Sequence, residues 1–204
     1  MFESLISFTI ATFALALSPG PDNIYVLTQS LANGTKSGIA TTAGLISGCI
    51  VHTTFLAFGI SALILASEKI FFGIKILGAC YLLFLAFRIF KSEGNISISK
   101  RAPKKGYWEL FKIGIVMNLV NPKVLIFFLA FFPGFLWDKD GNTLIQFYIL
   151  GVIFMVVSFF TFSGIALAAG QISRYIAEWK NMGIVLKWLQ IAVFVGIAIF
   201  ILIK

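Results

Sequence analysis

Residues 13–31 read FALALSPGPDNIYVLTQSL, an apolar stretch long enough to cross a membrane but interrupted by Ser18-Pro19-Gly20-Pro21 and followed at once by the charge of Asp22. Residues 114–135, GIVMNLVNPKVLIFFLAFFPGF, repeat the pattern, with Pro122 followed by Lys123. Proline lacks an amide hydrogen and clashes with the preceding turn, so it stops or kinks a helix interior. A charge at membrane depth costs about 2.5–3.5 kcal/mol on translocon scales. A chain that bears both costs twice is expected to build a polar site between broken helices.

The surrounding sequence fits that setting. Of 204 residues, 59% are hydrophobic and 12% charged, whereas a soluble domain is about a quarter charged. The chain therefore reads as an all-α integral membrane protein, a single transmembrane domain over 1–204 with the lipid bilayer as its surroundings. The first apolar run carries Glu3 but no basic residue, so it reads as a retained span instead of a cleaved signal peptide. Apolar runs and their polar breaks give six spans, at about 2–31, 38–66, 70–90, 109–137, 143–170 and 184–203. The first and fourth are long for straight crossings. Thirty helical residues reach about 45 Å against a hydrocarbon core of about 30 Å, and a break near mid-membrane absorbs the excess.

Six spans alternate their connections between two sides. Lys36, Arg88, Lys91, Lys100, Arg101, Lys104, Lys105, Lys112, Arg174, Lys180 and Lys187 fall on one side, against Lys69, Lys75, Lys139 and Lys204 on the other. The positive-inside rule makes the first side cytoplasmic and places both termini outside. The net charge of +8 is read through this sidedness, with no nucleic acid expected as partner. Trp108, Trp137, Trp179 and Trp188 lie near span ends, as interfacial anchors do. The basic linker 91–108 reads as a topology determinant and flexible hinge, with anionic lipid or a regulatory partner as the alternative.

Pro21 and Pro122 lie 101 residues apart, about half the chain. Each begins a half-helix within the first span of a three-span unit, over 1–90 and 109–204. Three is odd, so the second unit enters from the opposite side and the two form inverted repeats. At the first break, either Ser18 caps a helix that starts at Pro19, or Gly20 caps one that starts at Pro21. Asp22 then lies in a first turn, where the helix dipole favours it. At the second break Asn121 is an N-cap with Pro122 behind it, and Lys123 has the wrong sign for a helix N-terminus. Lys123 is therefore expected to need Asp22, the one acidic residue expected at that depth, as a direct or substrate-mediated counter-charge.

Ala40, Gly44, Gly48 and His52 recur every four residues, a face for close helix approach. Such faces also permit a homodimer. His52 reads as a candidate proton relay or as a neutral histidine bonded to a neighbouring carbonyl or hydroxyl. Thr53 and Thr54 read as bonded back to their own helix, and Gly151, Ser158, Gly164 and Ala168 as small contacts of the fifth span. Gln29 and Asn118 are secondary candidates for a pathway lining. Cys49 and Cys80 both lie in apolar runs and read as core residues. No metal site and no cofactor are expected.

Three blocks in order, LSPGPDNIYVLTQSLANGTKSGI (17–39), KILGACYLLFLAFRIF (75–90) and NLVNPKVLIFFLAFFPGF (118–135), resemble the recurring blocks of the LysE/RhtB family of amino-acid exporters. The resemblance implies a bacterial inner-membrane secondary transporter that exports an amino acid or close derivative, driven by the proton-motive force. Lysine, arginine, threonine, homoserine, homoserine lactone and leucine are substrates of different members. The family blocks fall on Ser18, Pro19, Gly20, Pro21, Asp22, Asn23, Lys75, Gly78, Tyr81, Asn121, Pro122 and Lys123. Gly134 stands where the family often has glutamine.

The chemistry of the breaks agrees with a zwitterionic substrate. Half-helix amides and Lys123 suit a carboxylate, and Asp22 suits an ammonium group. A related branch is associated with cadmium export, which makes a divalent-cation exporter the alternative. Cys49, His52, Cys80 and Asp22 are its only candidate ligands, without ligand spacing. An intramembrane enzyme would need a nucleophile beside a base or a paired carboxylate set, which the chain does not display.

Overall fold

The computed structural model describes residues 1–60, 68–93, 102–138, 141–178 and 181–203. Lys100, Arg101, Lys139, Trp179, Lys180, Lys204 and the end of the second expected span lie outside these. Within the described residues the chain is helical throughout and has no strand. Its helices are α1 (Phe2–Leu17), α2 (Pro21–Asn33), α3 (Thr35–Phe55) with a π-helical turn at Leu56–Ile60, α4 (Glu68–Lys91) and α5 (Tyr107–Val120). Then come α6 (Pro122–Ile126), continued by a π-helical turn (Phe127–Phe131) and a 3-10 turn (Phe132–Phe135), α7 (Thr143–Leu167), α8 (Ala169–Glu178) and α9 (Met182–Ile203).

Among the described residues four helices are long and apolar enough to cross a membrane singly, or up to six if each of two bent pairs is one span. The bends are 59° between α1 and α2 and 53° between α5 and α6 with its continuation. They fall at the two prolines. The first break takes the second of the two expected forms, with Gly20 as N-cap and Pro21 at the first helical position. The fifth span is shorter than expected. It ends at Leu167, and α8 follows as a separate helix. The polar residues Gln171, Ser173 and Arg174 among apolar ones make α8 amphipathic, a pattern that suits a surface helix over a membrane span.

In lipid, helix association rests on close packing, since acyl chains are as apolar as leucine. Here glycine supplies it. A Cβ at Gly44 would lie 1.9 Å from the Phe111 carbonyl oxygen, and one at Gly114 would lie 2.4 Å from that of Thr41. The α3–α5 crossing is therefore backbone against backbone. Gly78 seats Ala130, and Gly151 seats the Thr53 side chain, in the same way. Two expectations are corrected. Thr53 keeps a buried hydroxyl with no partner, and that of Thr54 accepts a bond from Tyr148 at 3.4 Å, because both face α7. Gly164 is exposed with open space around its Cα, so it makes no close contact.

The packing is reciprocal. The first half of each broken pair packs on the middle span of the other expected unit, α1 on α7 and α5 on α3. The two middle spans, α3 and α7, meet each other, as do the two last, α4 and α9. Two ties bring connections to one side. Asn33 donates to the Pro103 carbonyl at 3.3 Å, and the Lys187 ammonium donates to the carbonyls of Phe90 (2.7 Å) and Ser92 (2.6 Å). Lys187 thus satisfies free carbonyls at the C-terminus of α4.

Toward the opposite end the interior is a block of phenylalanines. Phe8, Phe127, Phe128, Phe131, Phe132 and Phe135 are each no more than 1% exposed. They stack edge and face, with Phe128 and Phe132 at 4.2 Å and Phe8 and Phe132 at 4.8 Å between ring centres. The irregular turns after α6 turn consecutive aromatic residues inward together.

Candidate functional site: a cavity between two helix breaks

Breaking a helix inside a membrane frees carbonyls and amides that no water can satisfy. Each break here is repaired by side chains. At the C-terminus of α1, Asn23 donates to the Ala16 carbonyl at 2.7 Å. The Lys123 ammonium donates to the carbonyls of Leu15 at 3.3 Å and Ser18 at 3.1 Å. At the C-terminus of α5, the Asn118 carbonyl accepts from the Asn121 amide at 3.2 Å. His52 Nε2 also lies 3.3 Å from it. A carbonyl only accepts, so Nε2 carries the proton in this contact. His52 lies against Phe128, 5.3 Å between ring centres.

The two breaks meet. Asn121 joins them, accepting the Lys123 amide on Oδ1 at 3.0 Å and donating through Nδ2 to Asp22 Oδ2 at 2.8 Å. No direct ion pair between Asp22 and Lys123 is found among the described residues. Of the two expected forms, direct and substrate-mediated, the direct ion pair is therefore not the one seen. The lysine charge rests at the negative, C-terminal end of the α1 dipole. It is held there by two carbonyls and lies 5.4 Å from the centre of the Phe194 ring. The partner it needs is the carbonyl end of a helix.

Between the breaks lies a cavity lined by Leu15, Ala16, Gly20, Asp22, Asn23, Ile46, Cys49, Asn118, Asn121, Lys123, Val124, Phe154, Ser158 and Phe162. It offers ≈ 30 Å³ to the centres of water-sized molecules, room for about two waters. An amino acid does not fit there without movement. Several polar atoms in the surrounding residues are left over. Asp22 Oδ1, Asn118 Oδ1 and Ser158 Oγ are buried with no hydrogen-bond partner. Each such atom costs about 1–3 kcal/mol.

The two sides of the cavity differ. On the side of the basic connections, a groove of ≈ 270 Å³ runs past Pro19, Gly20 and Pro21 to Ser92, Lys187 and Gln190. Gly20 belongs to both linings, so the Pro19–Pro21 segment is a thin wall. On the other side Phe154 leads into the phenylalanine block, packing at 5.0 Å on Phe128 and 5.7 Å on Phe132. That wall is several rings deep.

Of the expected site residues, Gly20, Asp22, Asn23, Asn118, Asn121 and Lys123 line the cavity. Ser18 contributes its carbonyl to Lys123. Pro19 and Pro21 face the outer groove, Pro122 is exposed, and His52 stands behind Asn118. Gln29 is buried on α2 and accepts from Asn33 at 2.9 Å, away from the cavity. Lys75, Gly78 and Tyr81 lie on α4 and outside its lining. Cys49 is a core residue whose sulfur accepts from Asn118 at 3.4 Å. Cys80 is exposed on the outer flank, contrary to the expectation, because its side of α4 faces away from the bundle. Residue reading missed Ser158, Phe154 and Phe162 as lining residues. The one clue was a lone hydroxyl in the apolar run VIFMVVSFF (152–160). No group of three or more His, Cys, Asp or Glu side chains converges among the described residues.

The chain is 33% identical to the homoserine/homoserine lactone efflux protein of Salmonella typhimurium over 181 residues, covering 89% of this chain and 87% of that protein. It is 29% identical to the leucine efflux protein of Salmonella choleraesuis over 197 residues, 94% of this chain and 91% of the relative. No solved structure is a significant match. Residues 13–204 match the LysE type translocator family, a stretch that holds both helix breaks and the whole cavity lining, and the chain belongs to that family.

Proposed function

We propose that this chain is a secondary transporter, not an enzyme, that exports an amino acid or close derivative across the bacterial inner membrane. One observation carries the reading: the two helix breaks meet at a single buried cavity whose lining includes one carboxylate, Asp22, and one ammonium, Lys123. A zwitterion brings the complementary pair. Its ammonium group goes to Asp22, and its carboxylate to Lys123. The efflux relatives of similar length support the same class of cargo. A divalent cation is a poorer match, since Lys123 sits in the wall and repels it.

The reciprocal packing supports two inverted three-span repeats, 1–90 and 109–204, which exchange access to the cavity from one side to the other. The basic connections face the cytoplasm and both termini face outward. The thin Pro19–Pro21 wall is then the inner gate, the phenylalanine block the outer one, and the proton-motive force drives the cycle. Cysteine labelling from outside reaches a site engineered beside Lys204 and misses one beside Lys100. The reverse pattern overturns the orientation.

Export is tested in cells that overproduce the chain and are preloaded with labelled L-homoserine or L-leucine. Cells with the parent protein lose label faster than cells with Asp22→Asn. Equal loss for these and all common amino acids sinks the exporter reading.

A further inference from the structure

We infer that Asp22, Asn118 and Ser158 form a three-acceptor seat for a primary ammonium group. The inference rests on the exporter reading and gives its cavity a chemical selectivity.

The three residues come from α2, α5 and α7 and line the same cavity. They are 7%, 4% and 2% exposed. Each leaves one oxygen without a partner, namely Asp22 Oδ1, Asn118 Oδ1 and Ser158 Oγ. The remaining polar atoms of the two longer side chains are engaged. Asn121 donates to Asp22 Oδ2 at 2.8 Å, and Asn118 Nδ2 donates to Cys49 Sγ at 3.4 Å. Among the described residues the other buried side-chain oxygens without partners belong to Thr12, Ser18, Thr42, Thr53 and Ser163, none of them in this lining.

A primary ammonium group carries three N–H donors and no acceptor. It can donate to Asp22 Oδ1, Asn118 Oδ1 and Ser158 Oγ together while its charge meets that of Asp22. A water can meet the three groups only by accepting from the Ser158 hydroxyl and brings no charge for Asp22, a guanidinium is a planar fork with five donors, and a quaternary ammonium donates none. Gly48 makes room for the Asn118 carboxamide, since a Cβ there would lie 2.6 Å from Asn118 Oδ1. Ser158 completes the set. Its cavity-lining neighbours one turn away on α7 are Phe154 and Phe162, so its hydroxyl is the one polar group that α7 contributes to the cavity. Ser158 is thereby the residue that receives the third N–H.

The test uses export of labelled L-leucine and L-homoserine, with leucine, N-methyl-leucine and N,N-dimethyl-leucine as competitors. In the parent protein each methyl removes one donor and weakens competition about tenfold. Ser158→Ala raises KM for leucine about tenfold and brings N-methyl-leucine to within about threefold of leucine, because no third acceptor remains to be satisfied. Ser158→Thr keeps the hydroxyl and the parent's ladder. A Ser158→Ala protein that exports with the parent's selectivity overturns the inference. So does a parent that accepts all three competitors equally, or a Ser158→Ala defect confined to a sodium dependence. If Ser158→Ala does not fold, the parent's ladder decides alone. Export of a probe with a flat ladder removes only this inference, whereas a parent that exports no amino acid removes the exporter reading with it.

Discussion

The two helix breaks share a design but divide the labour. At the second, the cap and the charge have structural duties. Asn121 caps α6, and Lys123 closes the carbonyl end of α1. At the first, Asp22 gives one oxygen to Asn121 and keeps the other free. The lysine is engaged by backbone, and the aspartate is available. Two opposite charges in one membrane cavity are therefore unequal: one holds the bundle together first, and the other is free for a ligand.

The largest effect expected from this contrast is that of Lys123→Met. It leaves the Leu15 and Ser18 carbonyls without their donor and Asp22 without a nearby cation. A hydrogen bond from a charged group is worth about 1.5–3 kcal/mol, and two are lost. The variant should melt well below the parent or fail to elute as a single species in detergent. A parent-like melting curve would show that α1 does not need the lysine.

His52→Leu comes next, at about 1–3 kcal/mol, since it removes a donor from the buried Asn118 carbonyl. His52→Gln keeps a donor and should recover most of the stability and the export. Loss of export in a stable His52→Gln protein would instead assign the histidine a part in proton transfer. Asn23→Ala exposes the Ala16 carbonyl of the first break in the same manner. It is expected to cost about 1–2 kcal/mol in a thermal melt. Lys187→Met is the smallest. Its two carbonyl bonds lie at the exposed end of α4, where a surface charge contributes about 0–1 kcal/mol.

Much of this arrangement was legible in the residues. Pro21 and Pro122 announce the breaks because proline's lost donor is a local fact, independent of what surrounds it. Gly44 and Gly48 announce a close crossing because only a helix packed on its neighbour has a use for that spacing. What remained hidden was non-local. Nothing in the neighbourhood of Lys123 says that its partners are carbonyls more than a hundred residues earlier. Ser158 reads as one small residue among several until α7 is seen to face the breaks. The boundary between α7 and α8 was also lost, because Ala168–Gly170 continues the apolar run without a proline to mark the end.

The central claim, that Asp22 is free for substrate while Lys123 is held by the fold, is tested most directly by purified Asp22→Asn protein. Its melting temperature and its equilibrium binding of labelled L-leucine and L-homoserine are measured on the same preparation. Asparagine still accepts the Asn121 bond, and Lys123 keeps its two carbonyls, so melting should shift by only a few degrees. Binding should fall about a hundredfold or more, as expected when a buried charge-assisted contact is truncated. A variant that binds like the parent, or one that unfolds as Lys123→Met does, would contradict the division between the two breaks.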